Sequence, residues 1–426
     1  MKINQIKPIV YQMAETAQAA VKTRFEEIDR VAEENTRRVM QAFQDQRVSE
    51  ACFAGTTGYG YDDLGRETLD RIYAQIFGTE AALVRTQFVN GTHALTAALF
   101  ALAEPGKTIL AVTGTPYDTL RSAIGISGGA FGSLTYYGVG YDEVALTESG
   151  EPDYETIRKA AAAPKVNAVI LQRSRGYADR PALSIETIAR VIQTVREVNP
   201  AAHIMVDNCY GEFTDVREPT HVGADLIAGS LIKNPGGGLA PTGGYVAGKR
   251  ELVERAAIRL TTPGIGGECG STLGVNRLLY QGLFLAPHTV AQALKTAVFC
   301  AAMMEQLGIE SSPGALENRS DIIQMVKLGS PERMKRFCLG IQSGAPVDSY
   351  VTPEAWAMPG YEDEVIMAAG AFIQGSSIEL SADGPMREPY IAYMQGGLTY
   401  ESGKLGVMMA VSAMLDDERV IPNIAF

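Results

Sequence analysis

Histidine and cysteine are scarce in this 426-residue chain, with four His and five Cys at positions 52, 93, 203, 209, 221, 269, 288, 300 and 338. No two cysteines have CxxC spacing, and no two histidines lie three to five residues apart. This argues against a zinc site of the usual spacing. An odd, unpatterned cysteine count also argues against a disulfide framework and fits a reducing cytosol. Long apolar runs are missing: the longest candidate, Ala286 to Met304, is broken by His288, Gln292 and Lys295, and a membrane span needs about 18 uninterrupted apolar residues. The N-terminal MKINQIKPIVYQMAET has no apolar core of the kind a signal peptide carries. Positive charge is in deficit, 37 basic against 49 acidic residues for a net charge of −12. Such a surface repels nucleic acid and anionic membranes. The expectation is a soluble cytoplasmic protein with no nucleic-acid or membrane partner, whose hard chemistry is borrowed from something bound.

Hydrophobic residues are plentiful at 46%, so a full core is available, and the length predicts two or three domains. Residues 17–48 read as one long amphipathic helix, with Phe25, Ile28, Val31, Val39 and Phe43 at helical spacing. From about residue 63, helices alternate with short apolar strands: 81–85, 108–112, 134–139, 166–172, 203–207, 224–230 and 243–248. That alternation predicts an α/β fold with a mostly parallel central sheet covered by helices on both faces. After about 285 the pattern changes to a helix (287–307), a strand in 321–328, a helix (331–341), strands near 366–374 and 376–380, and a last helix near 403–416. The expected division is an N-terminal helical arm (1–50), a large α/β domain (51–285) and a small C-terminal α+β domain (286–426).

In an open parallel sheet, ligands bind at the carboxyl ends of the strands. The strand HIMVD ends in Asp207, which serves either as a cap for the next loop or as a site residue. ADLIAGS runs into Leu231, Ile232 and Lys233, then Asn234, a proline and three glycines; that lysine is either a turn residue or a site residue. Asn90-Gly91-Thr92-His93 opens an apolar helix straight after a strand, where free N–H groups and the helix dipole favour a phosphate. An ordinary helix cap by Asn90 or Thr92 is the plainer reading. Together the three features complement pyridoxal phosphate, which needs a lysine for its aldehyde, an acid for its pyridine nitrogen and an anion site for its phosphate.

The segments VDNCYGEF and GSLIKNPGGGLAPTGGYVAG resemble the aspartate and lysine segments of the Cys/Met-metabolism enzymes, which are fold-type I pyridoxal-phosphate enzymes. TTGYGYDDLGRETLD, NGTHAL, SLIKNPGGG and IELSADGPMREPY resemble more closely the bacterial methionine gamma-lyase-like or aluminium-resistance family, grouped with cystathionine beta-lyases. The resemblance spans nearly the whole chain. It implies that Lys233 is the Schiff-base lysine and that Asp207 pairs with the pyridinium nitrogen. Gly91, Thr92 and Ser230 would hold the phosphate. Tyr117 would stack on the cofactor ring and act in catalysis, with His93 as a rival for ring contact. Tyr59 approximates a tyrosine that reaches the neighbouring subunit's phosphate, which implies a homodimer at least and points to a homotetramer. The wider group has threonine before the lysine where this chain has Ile232, and its usual C-terminal arginine has no clear counterpart. Arg387, Arg173 and Arg175 are the candidates for the carboxylate of an amino-acid substrate.

The activity implied is carbon–sulfur elimination from a sulfur amino acid, of cystathionine beta-lyase or methionine gamma-lyase type. A cysteine desulfurase using Cys269, an aldolase, an aminotransferase or a non-catalytic binding protein are the alternatives. Glycine totals 44 residues, with seven between 229 and 248 around Lys233 and five between 264 and 274, marking where backbone turns tightly or approaches a ligand.

Overall fold

The computed structural model describes residues 2–126, 128–358 and 363–415. They form two compact units, one of residues 35–285 and one of residues 1–34 with 286–426. Among the described residues, no helix is long and apolar enough to cross a membrane.

The first unit is built on a seven-stranded sheet: β1 (Ala81–Arg85), β2 (Thr108–Ala111), β3 (Gly140–Glu143), β4 (Val166–Gln172), β5 (His203–Asp207), β6 (Leu226–Ser230) and β7 (Gly244–Gly248). The order across the sheet is β1-β7-β6-β5-β4-β2-β3. All pairings are parallel except those of β7, which runs antiparallel to both β1 and β6. The strands β4, β6 and β7 are almost wholly buried along their length, as expected of a sheet covered on both faces. The helix Gly91–Leu102 has seven buried residues, among them Leu95, Leu99 and Leu102, and they join one core with Ile109, Met205, Leu226 and Val246. Burying each such leucine stabilises the fold by about 1.5–3 kcal/mol. This helix is therefore locked to the sheet, and its first turn is held at one fixed place.

The second unit carries an antiparallel sheet of β8 (Ser311–Ser312), β9 (Gln324–Lys327), β10 (Val365–Ala369), β11 (Ser381–Pro385) and β12 (Ile391–Gln395), in the order β10-β11-β12-β9-β8. The helices Pro331–Gly344 and Tyr400–Met414 lie in this unit.

Three expectations need correction. The segment 134–139 is not a strand; Thr135–Tyr137 is a short 3-10 turn and the strand begins at Gly140. Hydroxyls compete with the ladder there: the Thr135 hydroxyl donates to the Gly125 carbonyl at 3.2 Å, and Ser133 Oγ accepts the Tyr136 N–H at 3.3 Å. Gly138, at φ 79°, then turns the chain. The segment 376–380 is not a strand either; the Glu379 carboxylate accepts the N–H groups of Phe372 and Ile373, and the hairpin β11–β12 lies further on. The helix expected over 17–48 is two, Pro8–Ala20 and Lys22–Asp45, parted at Val21.

Candidate active site

The parallel pairing of β4, β5 and β6 sets Gln172 and Asp207, the last residues of β4 and β5, side by side, and puts Asp207 opposite Ala228, two residues before the end of β6. Asp207 is the last residue of β5. Its Oδ1 accepts the Cys209 N–H at 3.1 Å, and its carbonyl accepts the Arg173 N–H at 3.1 Å. Burial pushes the Asp207 carboxyl above its ordinary range, opposed by the charge of Lys233 and by the Cys209 backbone and thiol. Asp207 is only partly enclosed.

Lys233 follows β6 by three residues and is also partly open. Its Nζ lies 3.8 Å from the centroid of the Tyr210 ring, which is cation–π distance. Burial alone would lower the lysine, but Cys209, Tyr210, Asp207 and Glu212 together raise it above its ordinary value. Tyr210 reaches this place through a left-handed backbone at φ 70°, a conformation that costs a non-glycine residue about 1–3 kcal/mol.

The helix Gly91–Leu102 begins against Ser230 and Cys209. Asn90 caps it, its side chain accepting the His93 N–H at 2.9 Å. A Cβ on Gly91 would stand 3.0 Å from Ser230 Cβ and 3.9 Å from Cys209 Sγ, tighter than most side chains pack, so the helix start and the end of β6 meet closely because residue 91 is glycine. Ser230 Oγ is buried and makes no hydrogen bond among the described residues. The Thr92 and Thr119 hydroxyls are 2.9 Å apart.

Tyr117 sits just before the helix Asp118–Ile124. Its N–H donates to Gln172 Oε1 at 2.9 Å, and its ring meets Tyr177 edge-on at 5.9 Å. Pro116, Gln172 and Asp207 line one small cavity, which brings the Tyr117 loop to the end of β5. The His93 ring is engaged within its own segment: Nδ1 accepts the Val89 N–H at 3.2 Å, and the ring meets Phe88 edge-on at 5.4 Å. Burial and Arg259 lower its pKa, which favours the neutral ring.

The arginines part company. Arg173 is fully enclosed, with Nη1 2.8 Å from Asn208 Oδ1 and 3.4 Å from Glu218 Oε2, and Nη2 3.1 Å from Thr214 Oγ1. Its guanidinium is committed to the protein's own groups. Arg175, two residues on, is also buried. Arg387 lies in the other unit and is more than half exposed, paired with Asp363 at 2.7 Å. Tyr59 is exposed and stacks on Tyr61 at 5.4 Å, with Cys269 beside the Tyr61 hydroxyl.

Four residues of this region escaped the sequence reading: Cys209, Tyr210, Glu212 and Arg180. Arg180 donates to the carbonyls of Gln172 and Ser174 and so braces the end of β4. The first three stand directly after Asp207, and that adjacency was their only signal.

The residues present fit pyridoxal phosphate. A buried serine hydroxyl with no hydrogen-bond partner sits beside a glycine-opened helix start, and a partly open lysine and carboxylate lie at adjoining strand ends.

A family model described as "Methionine gamma-lyase" matches residues 10–415. The uncharacterized protein YnbB of Bacillus subtilis is 51% identical over 395 residues, 92% of this chain and 94% of that protein. A solved carbon-sulfur lyase involved in aluminum resistance from Clostridium novyi NT is 52% identical with a TM-score of 0.92, covering 96% of both chains. The pyridoxal-5'-phosphate-dependent protein YhfS from Escherichia coli shares the fold, with a TM-score of 0.59 at 18% identity over 88% of this chain and 94% of its own.

Proposed function

Because the chain belongs to the methionine gamma-lyase family, we propose that it is a pyridoxal-phosphate-dependent carbon–sulfur lyase. Its substrate would be a sulfur amino acid of the cystathionine, cysteine or methionine kind, and its products a thiol, a 2-oxo acid and ammonia. The observation that carries this reading is the meeting of Lys233, Asp207 and the Gly91–Ser230 contact at the carboxyl edge of one sheet.

When bound, the cofactor supplies an electron sink for the bond broken at the substrate's α-carbon. Gly91, Thr92 and Ser230 hold its phosphate, with the helix dipole behind them. Asp207 holds a proton at its ring nitrogen. The Lys233 amine would take the α-proton once it has given up its own. Tyr117 would contact the ring, with His93 as its rival, and its hydroxyl would donate a proton to the departing sulfur. Arg175, which follows β4, would pair with the substrate carboxylate. Tyr59 serves a partner subunit's phosphate, so the working form is a homodimer at least and a homotetramer by the same reading.

The test is direct. The purified chain is loaded with pyridoxal phosphate and supplied with cystathionine, cysteine and methionine, and 2-oxo acid and thiol are measured, with Lys233→Ala as control. Turnover of at least one substrate, absent in the control, is expected. No release from any of them would sink the lyase reading.

A further inference from the structure

Glu212 stands in the loop after β5 and is fully buried. Its Oε1 accepts the hydroxyl of Tyr245, on β7, at 2.9 Å. Its backbone carbonyl accepts the side-chain amide of Asn234, the residue after Lys233, at 2.9 Å. A Cβ on Gly229 would lie 2.6 Å from Glu212 Oε1 and 2.7 Å from Tyr245 Cε1, so β6 passes this pair only because residue 229 is glycine. Gly229 and Ser230 are neighbours on a strand and face opposite sides of the sheet. Ser230 faces the helix that starts at Gly91; Gly229 faces Glu212. One residue thus ties the loop after β5, strands β6 and β7, and the lysine segment together from the side away from the phosphate site.

The rest of the carboxyl is unusual. Oε2 is buried and makes no hydrogen bond among the described residues. The Tyr245 ring stacks on Phe77 at 5.3 Å and meets Tyr73 at 5.7 Å, so the wall beside the acid is aromatic. The titratable groups that bear most on Glu212 are Tyr245, Glu218 and Lys233, and Glu212 in turn bears on Tyr73 and Cys209; the Arg173 guanidinium lies against Gly211, the residue before it. Burial pushes the carboxyl up to about 8, the Tyr245 hydroxyl and Lys233 opposing and Glu218 adding to the rise.

We propose that Glu212 is a positioning residue for Lys233: it fixes the lysine segment against β6 and β7 and places behind that segment an acid whose ionised form would bear on the lysine. The inference rests on the reading of Lys233 as the reactive amine.

The test uses the full chain freed of any bound pyridoxal phosphate with hydroxylamine. Lys233 is labelled competitively with acetic anhydride between pH 6 and 10, and its acetylation is read by mass spectrometry against the exposed Lys107. In Glu212→Gln the amide keeps an acceptor for Tyr245 but carries no charge. Lys233 is then expected to label roughly tenfold faster than in wild type at pH 9, a change of about one pKa unit. The two curves should converge below about pH 6.5, where the wild-type acid is protonated. Tyr245→Phe, which removes the donor that favours the carboxylate, should move labelling the same way by a smaller factor. It decides the matter if Glu212→Gln fails to fold. A residue that only packs would give curves unmoved at every pH, and that result in folded variants overturns the proposal. A shifted curve in a protein that turns over no sulfur amino acid would refute the lyase reading and leave this one standing.

Discussion

Arg173 offers a sharp contest between structure and catalysis. By residue type and position it is a candidate for the substrate carboxylate, yet both it and Glu218 are wholly excluded from solvent. Arg173→Met keeps much of the apolar stem and removes the guanidinium. Glu218 would then keep the Asn208 amide at 3.1 Å, the Phe213 N–H at 2.9 Å and a looser approach to Arg38 at 3.7 Å, but would lose its enclosed cation. Breaking one partner out of a buried pair costs about 3–5 kcal/mol. For a unit of this size each kcal/mol lowers the melting temperature by about 2–4 °C, so a drop of roughly 6–20 °C is expected in calorimetry. Arg173→Met combined with Glu218→Gln should recover part of that loss, because the second change removes the stranded charge. The refuting result is a melting temperature within about 2 °C of wild type together with a tenfold rise in KM. That pattern would place Arg173 in the substrate site.

Two further outcomes follow from the same geometry. Glu212 releases its proton near 4.5 when unfolded and near 8 when folded, so the folded state binds the extra proton and stability falls as pH rises between those values. The slope is about 1.4 kcal/mol per pH unit, and Glu212→Gln should flatten that part of the urea-denaturation profile between pH 5 and 8; an unchanged slope would show that the acid is not held protonated. Ser230→Ala should weaken pyridoxal-phosphate binding by roughly ten- to a hundredfold, the loss expected for a hydrogen bond to a charged group, with melting temperature unchanged. Equal affinity in titration would remove Ser230 from the phosphate site.

The parts of the site that sequence shows are those written by strand period. HIMVD is a buried run that can only end at Asp207, and the observed strand is His203–Asp207. The LIAGS run likewise delivers Lys233 to the same edge, and the apolar helix at Gly91 is recognisable because nearly every face of it is buried. What is lost from sequence is long-range pairing. Glu212 means little until Tyr245, 33 residues on, supplies its hydroxyl and Gly229 makes room. Arg173 looks like a surface arginine because Glu218, its buried counter-charge, is 45 positions away. The misread strand at 134–139 has β-forming residues, but Thr135 and Ser133 spend their hydroxyls on backbone groups and Gly138 turns the chain.

If Lys233 carries pyridoxal phosphate, borohydride will fix the cofactor to that lysine. The chain is incubated with the cofactor, reduced with borohydride, digested, and mapped by mass spectrometry. Visible absorbance is expected before reduction, with a phosphopyridoxyl adduct on Lys233 that is absent from Lys233→Ala. A colourless protein that takes up no cofactor, or an adduct on a different lysine with Lys233 unmodified, would contradict it.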